Sequence, residues 1–236
     1  MSALKFSKLG PGLLFAGAAI GVSHLVQSTR AGAEFGWGLL WALLLVNLFK
    51  YPFFQFGPRY AIATGESLLD GYLRLGKVYL WIYAFLNLAT MFTIQTAVTI
   101  VTAGMASQLF GISSDMVQWS IAITLICYTI LLIGRYKLLD KVIKGIILLL
   151  TLSSLLALLI AAFKYEGSMS FAQVLPEASG FLFIIAFMGW MPAPMDISIW
   201  HSIWVLEKKK SLKEKLSIKE SLFDFNVGYL TTFLLG

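Results

Sequence analysis

Charge is scarce in this chain. Asp, Glu, Lys and Arg make up 13% of its 236 residues while 58% are hydrophobic, against roughly 25% and 45–50% in soluble domains. Such a chain cannot clothe itself in water-facing side chains, so its surface faces a lipid bilayer. Cysteine is nearly absent: Cys127 stands alone inside an apolar run, which excludes an internal disulfide framework and a thiolate metal cluster. Only two histidines are present. No metal-protease helix motif, phosphate-cradling glycine loop or paired nucleophile and base occurs, so an enzyme is not expected. The net charge of +6 does not point to nucleic acid, because the lysines sit between apolar runs rather than along one face.

What is present in quantity is apolar sequence in lengths that suit a bilayer, where about 20 helical residues cross about 30 Å of hydrocarbon. The windows predict an all-α, polytopic membrane protein with helices at about 11–33, 37–57, 79–109, 117–134, 142–163, 180–206 and 222 onward. The first run follows Lys5 and Lys8 as a signal peptide would, but Arg30 and further spans follow it, and it is read as a retained helix. The seventh run stops at Gly236 before a full span is complete, so the chain is expected to be a fragment. It is read as one transmembrane domain over 1–236, lacking a C-terminal part of the same fold.

The basic residues orient it. Lys5 and Lys8, then Lys50, Arg59, Arg74 and Lys77, then Arg135, Lys137, Lys141 and Lys144, then Lys208, Lys209, Lys210, Lys213, Lys215 and Lys219 fall on one side; Arg30 and Lys164 fall on the other. Cytoplasmic loops carry such an excess. The expectation is a cytoplasmic N-terminus in a plasma membrane, the inner membrane of a bacterium.

Two helices are built to come apart. The first carries Gly17, Gly21, Ser23 and His24, then the polar run Gln27, Ser28, Thr29, Arg30; the sixth carries Gly189, Pro192 and Pro194. Each proline removes a donor and clashes one turn back, and non-helical backbone at membrane depth survives only inside protein or beside a wet cavity. The plainer alternative is a pair of kinked, packed helices. Interrupted segments at matching positions in two halves mark the midplane site of inverted-repeat transporters. Helices 1 to 5, about 11–163, form the first repeat, and helix 6 opens the second at about 180.

Ionisable residues well inside the expected spans fall on those same two helices: His24, Asp196 and His201. Intramembrane ionisable groups are functional candidates by default. Asp196, just after Pro194 and Met195, suits a cation or proton site; the alternative is a neutral, hydrogen-bonded acid. His201 suits a proton relay or simple packing. An imidazole from His24 with a thioether from Met191 or Met195 favours softer transition metals over magnesium or calcium, although such methionines also serve as packing. Gln27, Ser28 and Thr29 line the same cavity or bond back to their own helix. Arg30 binds an anion or pairs with Glu34 one turn on.

Longer stretches carry a resemblance. Gly10-Pro11-Gly12-Leu13-Leu14, Arg30-Ala31-Gly32-Ala33-Glu34-Phe35-Gly36, Leu39-Leu40-Trp41, Arg59 to Leu68, Gly134-Arg135-Tyr136-Lys137-Leu138-Leu139, Met191-Pro192, His201-Ser202 and Asp224 to Tyr229 together resemble the Nramp family of proton-coupled divalent-metal transporters. The resemblance implies a LeuT-like inverted-repeat fold with metal as cargo between the unwound parts of helices 1 and 6, no resident cofactor, and protons as coupling ion. It also marks departures. Where the family has Asp-Pro-Gly-Asn, this chain has Gly21-Val22-Ser23-His24, so the carboxylate is lost and His24 replaces the amide. Met191 and His201 are ten residues apart, farther than in the family's helix 6 motif, which leaves the ligand methionine open between Met191 and Met195.

The expected function is proton-coupled uptake of a manganese- or iron-class ion. His24, Asp196, Met191 and Met195 are the metal candidates, Gly21 and Gln27 complete the cavity, and Asp196 and His201 couple protons. The alternatives are a non-metal solute or anion on the same fold, and a membrane partner or sensor that transports nothing.

Overall fold

The computed structural model describes residues 9–21, 23–164, 170–175, 177–211 and 216–235. Lys5, Lys8, Lys213, Lys215, Val22 and Gly236 lie outside the described residues, as do the side chains of Ser23, residues 134–137 and Leu139. Every described element is helical: α1 (Pro11–Ala19), a π-helical turn (Ser23–Ser28), α2 (Thr29–Phe35), α3 (Leu40–Thr64), α4 (Leu68–Leu75), α5 (Lys77–Phe110), α6 (Met116–Lys164), α7 (Ala178–Trp190), α8 (Ile197–Ser211) and α9 (Ile218–Leu235). Contacts divide the chain into two units, Met1–Leu68 with Val142–Gly236, and Leu69–Lys141.

The first unit holds both expected breaks. Pro11 opens α1, where its missing N–H costs nothing. The helix closes with Ile20 N–H donating to Ala16 O at 2.8 Å, and the chain resumes as a π turn. The segments Pro11–Ala19 and His24–Phe35 differ in direction by 46°. The sixth predicted span is likewise two helices, α7 and α8, separated by Met191–Asp196 with Pro192 and Pro194 inside the gap.

Two cores form around these breaks. Phe15 and Ala19 of α1, Phe54 of α3, Ala193 in the second break, Ile197 at the start of α8, and Phe225 and Tyr229 of α9 pack together. Ala31 of α2, Leu39 just before α3, Ala42 and Val46 of α3, Ile184 and Phe187 of α7, and Met191 just after it pack into the other. Thus α1 pairs with α8, α2 with α7, and α3 serves both. Backbone meets backbone twice: a Cβ at Gly228 would collide with Gly12 O, and one at Gly57 with Ser198 O.

Residues 170–175 are strapped to the start of α3. Val174 N–H donates to Gly38 O at 2.9 Å, Trp41 N–H to Gln173 Oε1 at 3.0 Å and Trp41 Nε1 to Val174 O at 3.0 Å. Helix α9 begins four residues before the expected start, because Ser217 and Glu220 form a reciprocal cap: Ser217 N–H donates to Glu220 Oε2 at 2.9 Å and Glu220 N–H to Ser217 Oγ at 3.3 Å.

In the second unit α5 runs 34 residues and ends at Gly111, whose φ of +62° suits glycine. Asp115 caps the next helix, accepting from Val117 N–H at 2.8 Å. The spans expected at 117–134 and 142–163 stand as Met116–Ile133 and Asp140–Lys164, but the loop expected between them is helical. Residues 134–141 read Gly-Arg-Tyr-Lys-Leu-Leu-Asp-Lys, with no proline to end a helix, so local sequence permits continuation.

Three described segments are long and apolar enough to cross a bilayer, Lys77–Phe110, Met116–Ile133 and Asp140–Lys164, and the bent first helix makes a fourth. Their large side chains face outward; Trp81 is 73% exposed and Phe163 90%. A water-soluble monomer does not present such a continuous apolar surface. The chain is a polytopic integral membrane protein.

Candidate functional site at the two helix breaks

At the first break Gly21 continues the chain without a side chain to occupy the space, which is open around its Cα. Its carbonyl accepts from Leu25 N–H at 2.9 Å, an α-type bond that leads into the π turn Ser23–Ser28. Single π turns recur at functional positions because the wider helix displaces side chains and loosens the ladder. Gln27 and Ser28 lie on this turn, half-buried, and Gln27 Oε1 and Ser28 Oγ are buried without a hydrogen-bond partner. Thr29 takes the plainer of its two readings, its hydroxyl donating back to Leu25 O at 2.9 Å.

His24 is buried, with Nδ1 3.0 Å from Ala19 O and Nε2 3.0 Å from Thr232 O. A neutral imidazole has one N–H to give, so only the doubly protonated ring satisfies both carbonyls together. As placed, both ring nitrogens face main-chain carbonyls, and His24 becomes a metal ligand only by turning one of them away.

At the second break Asp196 stands immediately before α8, its carbonyl accepting from Ile199 N–H at 2.9 Å and Trp200 N–H at 3.3 Å. Aspartate is favoured there because it answers the unsatisfied N–H groups of a helix start. It is half-buried. Met195 is 44% exposed, and its carbonyl already accepts from Ser198 N–H and Oγ. Met191 is fully buried in the α2–α3–α7 core, joined to Pro192 by a cis peptide bond.

His201 lies one turn into α8. Its ring is wholly buried between Phe15, with centroids 5.7 Å apart, and Phe225, at 5.6 Å, and neither nitrogen has a hydrogen-bond partner. Arg30 lies over the Phe183 ring, 5.3 Å from its centroid, rather than pairing with Glu34. The structure thus gathers Gly21, His24 and Gln27 along one break and Met191, Met195, Asp196 and His201 along the other. Among the described residues no three His, Cys, Asp or Glu side chains converge as a metal site.

Two charged groups were not recognised from sequence. Lys50 was placed in a loop, but it lies in the middle of α3, and Nζ donates to the carbonyls of Met188 (2.9 Å), Gly189 (2.8 Å), Met191 (2.8 Å) and Ala193 (3.4 Å). The signal was available: the expected span at 37–57 already contained it, and a lysine inside a span demands an explanation. Asp224, buried in α9, accepts from Gly10 N–H at 2.9 Å and Gly12 N–H at 2.7 Å, and so binds the start of α1.

Residues 12–235 match the family model described as natural resistance-associated macrophage protein-like, Nramp. The chain is also similar to an uncharacterized protein of Pasteurella multocida (strain Pm70), 39% identical over 237 aligned positions that cover 98% of this chain and 54% of that relative. The chain therefore spans about half the length of the curated relative it matches.

Proposed function

We propose that this chain, which belongs to the Nramp family, is the substrate-holding part of a secondary active transporter that moves a divalent transition metal ion of the manganese or iron class. One observation carries the reading: the two helices that the family unwinds around its cargo are the two that break here, at Ile20–Gly21 and at Met191–Asp196. Alternating access would rock one group of helices against another around that level.

Asp196 supplies the negative charge that the first break lacks. Met195, exposed beside it, is the better thioether candidate, since Met191 is committed to the core. Gln27 Oε1 and the Gly21 main chain offer oxygen from the first break, and His24 joins when it leaves a carbonyl. Asp196 and His201 carry the coupling proton, and the N-terminus lies on the cytoplasmic side of a plasma membrane. The full-length protein reconstituted in sealed vesicles should take up manganese or iron faster with an inward pH gradient. Asp196→Ala should cut that uptake by at least the roughly 10–100-fold that loss of an outer-shell partner costs a metal site. Uptake unchanged by Asp196→Ala would remove the carboxylate from the site.

A second reading has one observation in its favour. Residues 20–30 contain no acid, while an ammonium, Lys50, lies against the other break. Those charges suit an anionic or neutral solute, and on that reading Asp196→Ala leaves solute uptake intact.

A further inference from the structure

The end of α7 is an unusual place for a lysine. A helix leaves its last carbonyls without N–H partners, and those groups carry the negative end of the helix dipole. Here the prolines that follow prevent the next turn from answering them, since Pro192 and Pro194 have no N–H. At membrane depth an unanswered carbonyl is costly because no water replaces the partner. The carbonyls of Met188, Gly189, Met191 and Ala193 all turn toward one point, and Lys50 Nζ occupies it at 2.8–3.4 Å. Four oxygens around three ammonium protons is more than hydrogen bonding alone requires. It is the arrangement by which ring-like sets of main-chain oxygens hold a bare monovalent cation.

The setting is built rather than incidental. Lys50 lies on α3 between Val46, in the α2–α3–α7 core, and Phe54, in the α1–α8–α9 core, so the side chain emerges level with the break. Met191, whose carbonyl it holds at 2.8 Å, is fully buried, as is Ala193. We propose that the main-chain oxygens closing α7 form a monovalent-cation site that the chain fills with its own Lys50 ammonium, and that ammonium, methylammonium or potassium takes the site when the side chain is removed. This site abuts the break proposed for the cargo, and the inference holds whether or not the cargo is a metal.

The test reads stability, not transport. The full chain is purified in detergent, and its thermal midpoint is followed in N-methylglucamine chloride and in graded ammonium, methylammonium, potassium and sodium chloride. The wild type should melt at the same temperature in each. Lys50→Ala in N-methylglucamine should melt about 5 °C lower and recover most of that loss, saturably, in ammonium or methylammonium. Lys50→Met, which keeps the stem and fills the space without charge, should be destabilised and not recover. Lys50→Ala that melts like the wild type, or a loss that no small cation restores, overturns the proposal. If Lys50→Ala is not recovered folded, Lys50→Gln is carried through the same series, and a flat response there overturns it equally.

Discussion

The two cores beside the helix breaks are held by different means. Around α1, α8 and α9 the packing is aromatic and continuous: Phe15 meets Phe54 at 5.2 Å and Phe225 at 5.8 Å between centroids, and Phe225 meets Tyr229 at 5.3 Å. Asp224 and the Gly12–Gly228 crossing bring main chain directly against main chain. Around α2 and α7 the core is mostly aliphatic, with Leu39, Val46 and Ile184 at its centre. Polar bonds there are concentrated at the ends of α7, at the strap of residues 170–175 and at Lys50. Rigidity beside one half of the site comes from density along the helices, and beside the other from fastenings at their ends.

Substitutions graded by expected effect would break or sharpen that contrast. Gly228→Leu should be the most damaging, because the first added carbon collides with Gly12 O and backbone cannot give way as a side chain can; overpacking costs about 1–3 kcal/mol even where side chains can shift. Loss of the monodisperse peak in size-exclusion chromatography is the expected result. Phe54→Ala should cost about 3–5 kcal/mol and Val46→Ala clearly less, measured as apparent stability in a denaturant titration. Equal losses would show the two cores to be equally dense.

Asp224→Asn should cost about 1–3 kcal/mol, since an amide leaves one of the two N–H groups facing a donor. Limited proteolysis near Leu9 should accelerate in parallel. Tyr229→Phe removes the bond from its hydroxyl to Asn47 O, 2.6 Å long, and should cost about 1 kcal/mol. At the small end, Gly32→Ala in α2 meets open space and should raise stability by about 0.5–1 kcal/mol through helix propensity. A loss there would mean that α2 packs against something the two cores do not account for.

Much of this was legible in the sequence, for identifiable reasons. Prolines 192 and 194 and the glycine-rich, polar first helix state their breaks locally, since a missing donor or Cβ acts wherever the chain goes. The S-x-x-E cap at Ser217–Glu220 is equally local, although hydropathy alone does not see it. Lys50 is not legible in the same way, because counting charge by loops has no place for a lysine whose partners are carbonyls more than 130 residues away. Asp224 was hidden likewise, since its partners Gly10 and Gly12 are met only through the tertiary fold. The link between the two spans of α6 went the other way: no proline at 134–141 breaks the helix, although a charged cluster between apolar runs suggests a loop.

The fastenings of α7 carry one more consequence. At its leading end the chain is stitched to Gly38 and Trp41, and at its trailing end to Lys50, so α3 grips it like a door hung on two hinges. A helix pinned in this way keeps its height against α3 and can lift from it only when one pin is drawn.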